Sequence, residues 1–114
     1  MQITERQDGD IYILSLEGRL DHAGAMIFQQ RAQLAIQSGA RLIVVDFGNT
    51  NFVASMGIRA LIVPAQEVSR QGGKFAMTGL NPEVHRLFEI SGLLTVFKVH
   101  DTLEEAIASL RPTA

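Results

Sequence analysis

The stretch Ile11-Tyr12-Ile13-Leu14-Ser15-Leu16 constrains the fold more than any other, because its apolar residues occupy both alternating faces of an extended chain. A strand with one wet face alternates apolar with polar residues; this one needs cover on each side. Residues 10 to 17 are therefore predicted as a strand lying centrally in a layered sheet. Asp8-Gly9, between two extended segments, favours a tight hairpin, so residues 2 to 7 form the antiparallel strand before it.

The remainder alternates between helical and extended periodicity. Asp21 is the N-cap of a predicted helix with Ala25, Phe28, Ala32, Ala35 and Ile36 on one stripe, closed by Gly39. Leu42 to Val45 is a buried strand, followed by Gly48-Asn49-Thr50-Asn51, whose composition reads as a loop. Ile58, Leu61, Ile62, Ala65 and Val68 then recur at helical spacing, with Ser55 as N-cap and Gly72-Gly73 as the stop. Pro64 inside that helix predicts a kink or local break, since an interior proline costs about 3 kcal/mol.

Lys74 to Thr78 is a short strand, and Asn81-Pro82 supplies a cap and first position for a helix with Val84, Leu87 and Phe88, ending at Gly92. Val96 to Val99 form the last strand. Thr102-Leu103-Glu104-Glu105 is a capping box for a final helix using Ala106, Ile107 and Leu110, ended by Arg111-Pro112. The order β-β-α-β-α-β-α-β-α places the chain in the α/β class: a mixed sheet covered by about four helices, one domain over residues 1–114.

Composition narrows the function. A formal charge of −2, with Lys and Arg scattered between acids, provides no basic stripe for nucleic acid. No apolar run approaches the roughly 20 residues of a membrane span, and the first ten residues have no apolar signal core, so cytoplasmic residence without membrane insertion is expected. There is no cysteine, and His22, His85 and His100 lack ligand spacing, so neither metal nor cofactor is expected. A serine between strand and helix also occurs in the nucleophile elbow of α/β-hydrolases. Val53 replaces the first glycine of G-x-S-x-G, however, and the chain is too short for a hydrolase sheet despite His85, His100 and Asp101 downstream, so no enzyme is expected.

Several segments, in order, resemble the STAS family, the sulfate transporter and anti-sigma factor antagonist domain. They are Gly18-Arg19-Leu20-Asp21 with Ala25, Val45-Asp46-Phe47-Gly48-Asn49-Thr50-Asn51-Phe52-Val53-Ala54-Ser55-Met56-Gly57, Gly72-Gly73-Lys74, Gly79-Leu80-Asn81-Pro82 and Ser91-Gly92-Leu93. The resemblance implies a regulatory binding module, an anti-sigma factor antagonist switched by phosphorylation at Ser55. Its implied partner is an anti-sigma factor that is a serine kinase, with a serine phosphatase resetting the switch and ATP belonging to the kinase. Asp21, His22, Asn49, Thr50, Asn51, Met56 and Arg59 are the candidate partner-binding residues, with Asp46 near the switch. The family's phosphoacceptor follows an aspartate and often precedes a hydroxyl residue; here Ala54 and Met56 hold those positions. A constitutive adaptor therefore stays open as an alternative, as in a phospholipid-trafficking ABC transporter or a signalling scaffold.

Overall fold

In the computed structural model, which describes residues 1–95 and 97–111, five strands form one sheet in the order β1-β2-β3-β4-β5. The first pair, β1 (Gln2–Asp8) and β2 (Ile11–Leu20), is the expected antiparallel hairpin. Asp8 pairs with Ile11, so the two-residue loop is Gly9-Asp10, one position later than the Asp-Gly motif suggested. Gly9 takes the left-handed first loop position at φ 62°, which a glycine reaches without steric cost.

From β2 onward the pairing is parallel: β3 (Leu42–Val53), β4 (Lys74–Thr78) and β5 (Lys98–His100). Thus β2 lies inside the sheet as its sequence demanded, although the middle strand is β3. The crossover helices are α1 (His22–Gln37), α2 (Ser55–Arg70) and α3 (Pro82–Ile90). Each crossover steps to the next strand in the same direction, and right-handed connections then put all three helices on one face. The main core accordingly joins Phe28 of α1, Leu61 of α2 and Phe88 of α3 to Leu14, Leu16, Ile43, Val45 and Met77 of the sheet. The opposite face is covered by α4 (Leu103–Leu110), whose Ala106, Ile107 and Leu110 meet Ile11, Ile13, Val44 and Ala76. These two layers explain the double-sided apolar pattern of β2.

Three helices begin as predicted. The side-chain oxygens of Asp21, Asn81 and Thr102 accept from the backbone N–H of Gly24, Val84 and Glu105, each three residues on. Other expectations need correction. Gly48 to Asn51 is part of β3, because the partner β2 extends to Leu20 and holds it through two register shifts. Pro64 leaves α2 unbroken; it is buried in the helix, and packing offsets the hydrogen bond it cannot donate. The last strand is Lys98–His100, preceded by a 3-10 turn at Leu93–Thr95. Val96 and Pro112, predicted to begin that strand and to follow the last helix, lie outside the described residues.

On the α1 side, the Tyr12 hydroxyl donates to Glu5 at 2.6 Å, and Arg31 donates to the other Glu5 oxygen at 2.8 Å. This chain ties β1, β2 and α1 together. Burial and then the Glu5 hydrogen bond push the Tyr12 phenol up to about 12.

Candidate functional site

Beyond Asp46 the ladder of β3 continues with β2 alone, as a two-stranded extension pairing Glu17–Leu20 with Asn49–Val53. Its tip leads directly into α1 and α2. Leu20 pairs with Val53, so Asp21 and Ala54 leave adjacent strands, whose spacing is about 4.8 Å. The Ala54 N–H donates to the Leu20 carbonyl at 3.0 Å, and that last ladder bond fixes where α2 begins.

Ser55 is therefore the first helical residue and not the N-cap. The cap is Ala54, in extended backbone, with no side-chain hydrogen bond. Ser55 is exposed, and the N–H groups of the first turn have no intrahelical acceptor. A phosphate on Ser55 would meet those donors and the positive end of the helix dipole. Since Ser55 caps nothing, Ser55→Ala is expected to change stability by less than about 0.5 kcal/mol, against about 1 kcal/mol for a true cap. Chemical denaturation of the two proteins measures the difference.

Around Ser55 the surface combines charge with apolar area. Met56 is exposed, as is Phe52 at the end of β3. Arg19, which faces Phe52 across the ladder, places its guanidinium 4.1 Å from the centre of the ring. Arg19 Nε also lies 3.9 Å from the Asp21 carboxylate. Arg19 and Phe52 were not singled out from the sequence; their pairing depends on a register that passes two bulges. His22 opens α1 and Arg59 sits one turn along α2 from Ser55, both exposed.

The Gly24 N–H, 3.0 Å away, is the main cause holding the Asp21 carboxyl below the usual carboxylate range; burial opposes it, and the Asp21 N–H and then Arg19 add smaller lowering effects. A lowered folded value means that the ionised carboxylate stabilises the fold at neutral pH and loses that contribution as pH falls through its folded pKa. Asp21→Asn, which keeps an acceptor without the charge, should melt below wild type at pH 7. The gap should close in acid, and a gap independent of pH would contradict this account.

Other candidates are placed differently. Thr50 is buried, and its hydroxyl donates to the Leu16 carbonyl at 2.9 Å, while the Asn81 side-chain amide donates to the Thr50 carbonyl at 3.3 Å. Thr50 thus locks the extension and is not presented to a partner. Asn49 and Asn51 are exposed on the extension. Asp46 accepts the Gly48 N–H at 2.8 Å, and the strand from Asp46 to Val53 spans roughly 20 Å, so this carboxylate is not beside Ser55. It belongs instead to a polar row crossing the sheet in register: Thr4, Ser15, Asp46, Thr78 and His100.

Among the described residues no group of three His, Asp or Glu is placed to hold a metal ion, and no helix is long and apolar enough to cross a membrane. The arrangement offers an exposed hydroxyl on an open helix start, followed by exposed Met56, at the end of an extension whose tip also carries Arg19, Asp21 and Phe52.

The chain is 29% identical over 111 residues to the anti-sigma F factor antagonist of Paenibacillus polymyxa, covering 96% of this chain and 95% of that protein. Its fold matches the anti-sigma factor antagonist SpoIIAA in its unphosphorylated form with a TM-score of 0.84 at 24% identity, covering 99% of each chain. It also matches the Bacillus cell fate determinant SpoIIAA in the phosphorylated form with a TM-score of 0.75 at 24% identity, covering 96% of this chain and all of that one. The STAS domain family model matches residues 2–106, nearly the whole described chain, and the protein therefore belongs to the STAS domain family.

Proposed function

We propose that this protein is an anti-sigma factor antagonist, which binds an anti-sigma factor that is a serine kinase and loses that partner when Ser55 is phosphorylated. The observation that carries the reading is the exposed Ser55 hydroxyl on the first turn of α2, next to exposed Met56 and at the tip of the extension that carries Phe52 and Arg19. Kinase access needs exposure, and the helix start accommodates the product. The phosphate then places up to two negative charges among apolar contacts, where desolvation and repulsion oppose docking with no change of fold. The kinase supplies ATP, a serine phosphatase restores the free hydroxyl, and the chain acts by binding in the cytoplasm. The P. polymyxa relative carries the antagonist name, and SpoIIAA has been solved in both phosphorylation states.

The test is affinity for a purified anti-sigma serine kinase from the same organism. Ser55→Asp should bind at least about tenfold more weakly than wild type, and Ser55→Ala should bind as wild type does. An aspartate variant that binds at full strength ends the switch reading.

One observation favours a second reading, the constitutive adaptor: the residues flanking Ser55 are uncharged Ala54 and apolar Met56. That role predicts copurification with a transporter ATPase subunit or a signalling scaffold and indifference to both Ser55 substitutions. Pulldown with mass spectrometry separates the two.

A further inference from the structure

The end of α2 remote from Ser55 borders a groove of about 690 Å³, formed with the start of β4, the start of β5 and the end of α4. Its existence follows from the shortness of β5. Among the described residues that strand pairs only with Ala76 to Thr78, so Lys74 and Phe75 of β4 have no ladder partner there on the outer side. Ile62, Ala65, Phe75 and Phe97 supply apolar walls, and Phe75 and Phe97 lie 6.0 Å apart between ring centres.

The charge here is one-sided. Lys74 and Lys98, the chain's only lysines, both border this groove, as does Arg70, while no Asp or Glu lines it. Lys98 pairs in register with Ala76, two residues from Lys74, so both lysines project from the α4 face of the sheet at its open edge, whereas Phe75, Ile62 and Ala65 line the groove from the α1–α3 face. Both are exposed, and neither has a side-chain hydrogen bond or ion pair among the described residues, whereas Arg70 is engaged by Glu67. On a protein of net charge −2 this is a local cationic rim at the sheet edge, facing a groove whose apolar walls come from the other side of β4.

We propose that this groove binds a small anionic amphiphile, a ligand with an apolar body and a single carboxylate or phosphate head. The body packs on Phe75, Ile62 and Ala65, and the head reaches over the open edge of β4 to take charge-assisted hydrogen bonds from Lys74 and Lys98. Among the described residues only Lys74 and Phe75 of β4 lack a ladder partner, too short a template for an added peptide strand, which favours a small molecule. The 16-residue α2, about 24 Å long, separates this site from Ser55, so it is independent of the phosphorylation reading.

Titration of the isotopically labelled protein with octanoate, octyl phosphate and neutral octanol tests the site. At least one anion should shift the backbone amides of Lys74, Phe75 and Lys98, and the stronger of the two identifies the head group. Octanol, and either anion added to Lys74→Gln/Lys98→Gln, should bind at least about tenfold more weakly. Both lysines are exposed, so that variant should keep its fold. Ala65→Glu, at a half-buried position of the wall, should weaken anion binding while retaining the wild-type circular dichroism spectrum. The proposal is overturned if neither anion moves these amides, if octanol binds as well as the anions, or if either variant binds as wild type does.

Discussion

Gly57→Val is expected to destabilise the protein by at least about 3 kcal/mol. Gly57 is buried in the first turn of α2, two residues after Ser55. A Cβ there would lie 2.5 Å from the Leu20 carbonyl oxygen and 2.7 Å from Leu20 Cγ, closer than nonbonded atoms approach. Neither neighbour has room to retreat. The Leu20 carbonyl is held by the Ala54 N–H, and the Leu20 side chain is wholly buried. Alanine in a helix is normally favoured over glycine by about 1 kcal/mol, so Gly57→Ala weighs that gain against the clash. With backbone as the obstacle the clash wins, and Gly57→Ala should also be less stable than wild type. Urea unfolding of both variants measures this; a stabilised alanine variant would mean that α2 does not press on Leu20 as described.

Phe88→Ala should cost about 3–5 kcal/mol, a large share of the 5–15 kcal/mol typical of a folded domain. Its ring is fully buried, edge-on to Phe47 at 6.4 Å and 6.3 Å from Phe97. The nine-residue α3 has only Val84 as its other buried anchor, so truncation leaves a cavity and loosens the helix. Phe88→Leu, which refills part of that volume, should lose about half as much. A cost below about 1 kcal/mol for alanine would show that α3 does not depend on this aromatic contact.

What the sequence could disclose depended on whether the deciding interaction was local. Asp21, Asn81 and Thr102 were legible as caps because the bond that defines each role spans three residues. Ser55 has the right residue type for the same role, but the start of α2 is set by the bond from Ala54 to Leu20, thirty-four residues away in sequence. Gly48 to Asn51 carry poor strand propensity, and only pairing with the far end of β2 makes them a strand. The same pairing buries Thr50 and carries Asp46 away from the switch. The contact between Arg19 and Phe52 was hidden for a related reason, since no local pattern reveals a register that passes two bulges.

Ser55 thus stands at the centre of the functional account, as an exposed hydroxyl positioned by the β2–β3 extension and the first turn of α2. The most direct measurement is intact mass with peptide mapping after incubation with ATP and an anti-sigma serine kinase from the same organism. The account predicts one phosphate, located on Ser55 and absent from Ser55→Ala. Wild-type protein left unmodified, or carrying its phosphate on another residue, would contradict it.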